Sequence, residues 1–415
     1  MKGLVAILPV AFALTVARAS DACAQSDLFS PAAFAAVIDT RIVAADGERS
    51  WIDGGFGKAR YGDESGPRLA ELGLAWSRRL TDALTARVAI EAQDGADPVL
   101  DISEAFVAWK SAPGSAVRLS ARAGLFWPQL SLEHDGPLWT VADTITPSAI
   151  NSWAGEELKI GGAEATLRTA VAGQGVSATV GVFGWGDTAG TLLSFRGWAL
   201  QDLKNTATSL MPVPPLSDYI RVRQRDGTTS LRELDDRAGL YGRLEWSPST
   251  DLTLDVFTYD NNGDLTSVDD RSEWAWDTRF TEAGLSWTAN DRTRIRAQVL
   301  KGVTLMGYPD RTTGEIWVDV GYASAYVSAT RELGPGALTA RLDWFETDDH
   351  TLTVVDNNDE HGSAQLLAWR WDVRPHANLV FELLRIDSDR PSRALAGEAA
   401  DQIQTIFQTA LRLDL

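Results

Sequence analysis

The chain has 415 residues, of which 57 are acidic and 38 basic, for a net charge of −19, and it carries one cysteine. Such an acidic surplus excludes a nucleic-acid binder, which needs clustered Lys and Arg to neutralise phosphates. One cysteine excludes an intrachain disulfide and a thiolate metal cluster.

In chain order, the first element is a leader. Lys2 opens a basic n-region, Leu4 to Val16 form a short apolar core, and Ala22-Cys23-Ala24 is a small-x-small cleavage site. The expected domains are a signal peptide over 1–24 and one mature domain over 25–415. Cleavage would remove Lys2, Arg18, Asp21 and Cys23, leaving an exported chain with no thiol. No later apolar run is long enough for a membrane helix, a finding that says nothing against a transmembrane barrel.

From Phe34 onward the dominant period is two. Alternating segments of roughly ten residues begin near Phe34, Arg68, Thr85, Asp101, Ala116, Leu158, Val176, Ala238, Leu252, Thr281, Thr293, Ile316, Leu338, Ala364 and Asn378. A last one runs from Ile403 to Leu415, which makes about sixteen. In AVRLSARAGL (116–125), Val117, Leu119, Ala121, Ala123 and Leu125 share one face; Arg118, Ser120, Arg122 and Gly124 share the other. Connections alternate too. Short Gly/Pro/Asn/Asp turns near 112–114, 173–175, 248–250, 290–291, 334–336 and 375–377 trade with long loops over 126–157, 186–237, 260–278 and 347–362. Tight turns at one end and long loops at the other are the plan of an all-β transmembrane antiparallel barrel, with periplasmic turns and extracellular loops. Tryptophans near strand ends (Trp76, Trp109, Trp246, Trp287, Trp344, Trp369, Trp371) suit an interfacial girdle.

In that barrel the apolar face meets lipid and the polar face lines a lumen too wide for side chains to fill. The expected lumenal bases include Arg87, Lys110, Arg118, Arg122, Arg168, Arg243, Arg294, Arg296, Arg341, Arg370 and Arg412. The expected lumenal acids include Glu71, Glu91, Glu104, Glu164, Asp255, Glu282, Asp319, Asp343 and Glu382. Charged rings of this kind govern ion selectivity. The loop over 126–157 is the expected constriction. Its Glu133, His134 and Asp135 would face Arg118, Arg122 and Arg168, with Arg87 and Arg296 on the same lumen.

Gly124, Phe126, Pro128, Ser131, Leu132 and Glu133 resemble the Gly-x-Phe-x-x-Pro-x-Ser-Leu-Glu stretch of the phosphate-selective (O/P-type) porins, with the proline one position early. The resemblance implies a sixteen-stranded trimeric barrel whose third extracellular loop folds into the pore. It also implies anion transport over an arginine ladder with lysine clusters. This chain departs in its chemistry, since its arginines are offset by lumenal acids and lysines are few.

Enzymatic constellations are thin. Ser131, His134 and Asp135 are too close in sequence for a catalytic triad, and no catalytic residue, metal site or cofactor is expected. The acidic stretches 260–264 and 356–360 lack the spacing of a dedicated Ca²⁺ loop. The reading is a bacterial outer-membrane porin, a passive diffusion channel for small hydrophilic solutes or ions, including anions such as phosphate. Its expected partners are outer-membrane lipid and lipopolysaccharide, small solutes or ions, and two further copies in a homotrimer, with no nucleic acid. Two alternatives share the alternation. One is an outer-membrane barrel whose lumen is plugged by the loop over 186–237 and which acts as adhesin or scaffold; the other is a secreted β-rich binding protein.

Overall fold

The computed structural model describes residues 29–351, 353 and 355–415; the leader expected over 1–24, with Cys23, lies outside them. Sixteen antiparallel strands close into one barrel. They are β1 (Phe34–Asp46), β2 (Gly66–Arg79), β3 (Leu84–Gln93), β4 (Leu100–Lys110), β5 (Arg118–Phe126), β6 (Ile160–Val171), β7 (Gln174–Gly184) and β8 (Gly239–Ser247). The ring continues through β9 (Leu252–Asp260), β10 (Asp277–Asn290), β11 (Thr293–Met306), β12 (Val318–Leu333), β13 (Gly336–Asp349), β14 (Glu360–Arg374), β15 (Ala377–Asp389) and β16 (Asp401–Asp414). Each strand pairs with its sequence neighbour, and β1 closes on β16 with Val37 opposite Asp414. Closure leaves no free edge, which is what permits a sheet to stand in lipid.

The alternation sets the two faces. Leu72, Val107, Leu167, Val256, Leu342 and Leu383 all point outward and are exposed, and Trp109, Trp246, Trp287, Trp369 and Trp371 stand exposed close to the short turns. An apolar outer band edged by tryptophan has no use in water; the barrel belongs in a bacterial outer membrane. The short turns, such as 172–173, 291–292 and 334–335, all lie at one end. At the other end lie 47–65, 94–99, 127–159, 185–238, 261–276, 307–317, 350–359 and 390–400.

Three expectations change. Strand length is not uniform: β3 to β9 have 9–12 residues, whereas β10 to β16 have 13–16. The barrel thus has a low wall and a tall wall. Asp319 faces outward, not inward, because Val318 and Val320 take the buried parity on β12. The lumenal face is also not polar throughout. In its loop half Tyr241, Phe257, Tyr259, Phe280, Tyr322 and Phe345 point inward, because the loops bring apolar partners to them.

Candidate functional site: two inward loops and a basic vestibule

Loop 127–159 leaves β5 through Gly124, which holds φ +137°; a Cβ there would lie 2.2 Å from the Ala105 carbonyl oxygen. Only glycine permits that turn. The loop then folds into the lumen and is held along the tall wall. Arg341 of β13 donates to Asp343 (2.8 Å), to Glu133 of the loop (3.1 Å) and to the carbonyls of Thr146 (2.7 Å) and Pro147 (2.9 Å). Glu382 of β15 accepts from the amides of Ile145 (2.6 Å) and Thr146, and Asp343 accepts from that of Ala149 (3.1 Å). Asp143 of the loop sits among Arg294, Arg296 and Arg370, with the Arg370 contact at 2.8 Å. Arg412 of β16 donates to the carbonyls of Val141 and Thr144, each at 2.8 Å. These are charge-assisted bonds in a buried setting, the strong class.

Loop 185–238 fills what remains of the loop end. Its helix Thr191–Arg196 is buried throughout. Arg196 pairs with Glu157 at 2.6 Å, and Ser152 Oγ donates to the Gln201 carbonyl at 2.9 Å, so the two loops lock together. Trp153 of the first loop meets Phe280 (5.3 Å), Tyr322 (5.2 Å) and Trp198 of the second (6.0 Å) edge to face. One apolar core therefore runs from the loops onto the inner wall, with Ile150, Leu193, Leu200 and Phe345 in it.

The expected site residues divide. Glu133 is buried and accepts from Ser148, Asn151 and Arg341. Burial acts to raise its pKa, but Arg341 and the Ser148 and Asn151 bonds outweigh it and hold the carboxyl below its ordinary value. His134 is buried as well: it bonds Ser131 Oγ (2.7 Å) and Glu156 (2.8 Å) and stacks on Trp139 at 5.1 Å. Ser131 Oγ also accepts from the amides of Glu133 and His134, so the buried Ser131–His134–Glu156 chain caps this turn of the loop. Trp139 in turn stacks on Trp127 at 6.0 Å. Asp135 pairs with Arg296. Arg122 is engaged by Glu164 of the neighbouring strand (2.7 Å) and by the Trp127 carbonyl at the start of the loop (2.7 Å), and lies over the Phe126 ring at 4.0 Å. Arg87 likewise bonds Glu104 at 2.6 Å.

Arg118 and Arg168 differ. They face each other across β5 and β6 in direct register, both exposed, and among the described residues no side chain pairs with either. Lys110, inward on β4, is equally exposed and unpaired. These three stand at the short-turn mouth beside a cavity of about 230 Å³ lined by Thr85, Lys110, Ser120, Arg122, Glu164 and Thr166. Like charges directly opposite on a sheet are unfavourable unless solvent or an anion screens them. The structure thus brings Arg118 and Arg168 together, exposed, at the short-turn mouth, and no contact among the described residues joins either to Glu133, His134 or Asp135. It also shows what pattern reading missed: Asp143, Arg341, Glu382 and Arg412 as the clamp of the first loop, and Asp202 and Lys204 in the second. Inward parity flagged Arg341, Glu382 and Arg412 on the wall, but nothing flagged Asp143 on the loop. Nothing local flagged their partners, some of which lie more than 200 residues away.

Three carboxylates of the second loop, Asp187, Glu233 and Asp235, bring their oxygens within 4.8 Å of one another. Burial, with the like charges of Glu233 and Asp235, pushes Asp187 up to about 7.

No protein-family model matches the chain, and no curated protein matches it either. Solved structures do. The outer membrane channel DcaP of Acinetobacter baumannii is 12% identical, with 93% of this chain and 99% of that one covered at a TM-score of 0.55. The anion-selective porin from Comamonas acidovorans is 13% identical, with 92% and 98% covered at 0.53. In-vitro folded OmpT, an outer membrane protein of Vibrio cholerae in a trimer form, is 11% identical, with 92% and 98% covered at 0.50. At such identities the likeness is one of fold. The class is that of sixteen-stranded outer-membrane barrels.

Proposed function

We propose that the chain is a porin: a passive diffusion channel for small hydrophilic solutes or ions that favours anions such as phosphate and performs no covalent chemistry. The observation carrying this reading is that Lys110, Arg118 and Arg168 stand exposed at the short-turn mouth of a closed barrel, with no side-chain partner among the described residues. Guanidinium groups offer forked donors to carboxylate and phosphate oxygens. The anion-selective neighbour shares the barrel plan and supports the sign. Glu133, His134 and Asp135 then shape the constriction by holding loop 127–159 inward, while Arg122, Arg87 and Arg296 stiffen it through their carboxylates. A homotrimer embedded in lipopolysaccharide fits the outer apolar band and the trimer form of OmpT.

Recording in planar bilayers under a salt gradient tests this. An anion-signed reversal potential from heat-modifiable protein is expected. A cation-signed potential removes the anion preference, and no conductance at all removes the channel. One observation favours a second reading, a plugged barrel that serves as adhesin or scaffold: both inward loops are packed to core quality at the loop end. Liposome swelling with small sugars, absent for that reading, separates the two.

A further inference from the structure

The neck of the second loop gathers negative charge without a counter-charge. The chain leaves β7 at Gly184, and Gly186 bridges to Arg232 before the return to β8 at Gly239. At this neck the carboxylate oxygens of Asp187, Glu233 and Asp235 lie within 4.8 Å of one another, Asp187 buried and the other two half-buried. Among the described residues no base forms an ion pair with any of the three. The arginines that flank two of them in sequence are engaged elsewhere, Arg232 with Asp269 (2.7 Å) and Arg237 with Asp264 (3.0 Å). Backbone amides hold the acids in place instead. The Leu234 amide donates to Asp187, the Trp185 amide to Glu233 Oε2 (3.1 Å) and the Arg237 amide to Asp235 Oδ1 (2.8 Å).

Two further observations point to what belongs among these acids. Glu233 Oε1 is shut off from solvent and accepts no hydrogen bond from any described residue. The Tyr259 hydroxyl comes up to the neck from β9, 3.0 Å from where a Cβ on Gly186 would stand and within the field of the Asp187 carboxylate. Tyr259 is 2% exposed, and its hydroxyl has no hydrogen-bond partner among the described residues. Buried polar groups are as a rule satisfied, and like charges brought together out of water need a cation. A set of oxygen ligands alone suits a hard one. Calcium takes such oxygens at about 2.3–2.6 Å in flexible geometry, so ligands on opposite sides of it stand about 5 Å apart. Magnesium demands about 2.0–2.1 Å and near-octahedral order, which acids on two separate chain segments do not supply.

We infer that Asp187, Glu233 and Asp235 bind a calcium ion that ties the two ends of loop 185–238 together where they leave β7 and rejoin β8. A water carried by the ion meets the Tyr259 hydroxyl. Calcium then sets how firmly the loop end of the barrel stays filled, whatever solute the barrel passes.

Terbium, a luminescent stand-in for calcium, tests this on the full-length protein in detergent. Trp185, whose amide caps Glu233, and Trp276, whose amide donates to the Asp187 carbonyl (2.7 Å), stand beside the site as antennae. Sensitised emission should appear and be displaced by calcium with a dissociation constant on the order of 10⁻⁴–10⁻³ M, as in extracellular calcium modules. Calcium at ten times that constant should slow proteolysis within 185–238 roughly tenfold relative to chelator. Glu233→Gln should abolish both effects; it keeps an acceptor for the Trp185 amide, so the barrel should stay heat-modifiable. Asp310→Asn, at an exposed acid of loop 307–317, should change neither. Absence of emission from wild type overturns the site, as does emission that survives Glu233→Gln or falls equally with Asp310→Asn. A wild-type loop whose proteolysis ignores calcium overturns the tie. No arm requires a current, so a silent bilayer would count against the porin reading alone.

Discussion

The tall wall and the low wall carry the same residue types in the same alternation and use them differently. On the tall wall Arg294, Arg296, Arg341, Arg370 and Arg412 all reach across to loop 127–159. On the low wall Arg87, Arg122 and Arg243 pair with carboxylates of neighbouring strands, Arg122 reaching the Trp127 carbonyl of the loop as well, and Lys110, Arg118 and Arg168 pair with no side chain among the described residues. Strand length does not explain the split, because Arg294, Arg370 and Arg412 lie as close to the short turns as Arg118 and Arg168 do. The course of loop 127–159 does: it runs along the tall wall and brings Val141, Asp143 and Thr144 to those arginines. An inward arginine is therefore a fastener or a filter according to what stands opposite, and its parity alone says neither.

The largest break in this contrast should come from Arg341→Ala. It leaves Glu133 and Asp343 buried without their cation, a class of change costing about 3–5 kcal/mol. Denaturant titration in detergent should show that loss, and proteases should then cut within 127–159. Asp143→Asn comes next, at about 1–2 kcal/mol, since three arginines lose a shared charge-assisted acceptor. Freed Arg294 and Arg370 should join the lumen, so the reversal potential should move toward anions; no movement would mean that they stay sequestered. Arg118→Ala with Arg168→Ala should leave the denaturation midpoint where it is and move the reversal potential toward cations. A fall in stability there would make the two walls alike.

The smallest effect concerns pH. Asp187 has an ordinary value of 3.8 and is pushed up to about 7 in the fold, so the folded loop holds a proton that the unfolded chain releases. Its stabilising contribution is present in full below the ordinary value and is lost as pH climbs through about 7. Loop 185–238 should accordingly resist proteolysis better at the acid end of that window, and Asp187→Asn should flatten the dependence.

Much of this fold was legible in advance. Period two in segments such as 116–125, with short turns trading against long loops, indicated sixteen strands with periplasmic turns, and Trp109, Trp246, Trp287, Trp369 and Trp371 stand exposed near strand ends as expected, while Trp344 lies inside its strand. The site was legible only in parts. The inward parity of Arg118 and Arg168 could be read from spacing, whereas the left-handed turn at Gly124 could not. The engagement of Arg122 by Glu164 could not, because it depends on the register between β5 and β6. The inward aromatics hid for another reason. A stretch such as Val256-Phe257-Thr258-Tyr259 is apolar on both faces, and period two loses contrast where lipid lies outside and a packed loop lies inside.

The seam between β1 and β16 has a bearing on assembly. Ala36 and Leu415 exchange both backbone hydrogen bonds at 2.9 Å, although 379 positions separate them. The first strand made must therefore wait, its ladder half empty, until the last one arrives. Through that interval it is a template that any other extended segment could occupy. The time between export and closure is the most exposed period in the life of this molecule, and whatever escorts it across the periplasm must shield both ends of the chain together.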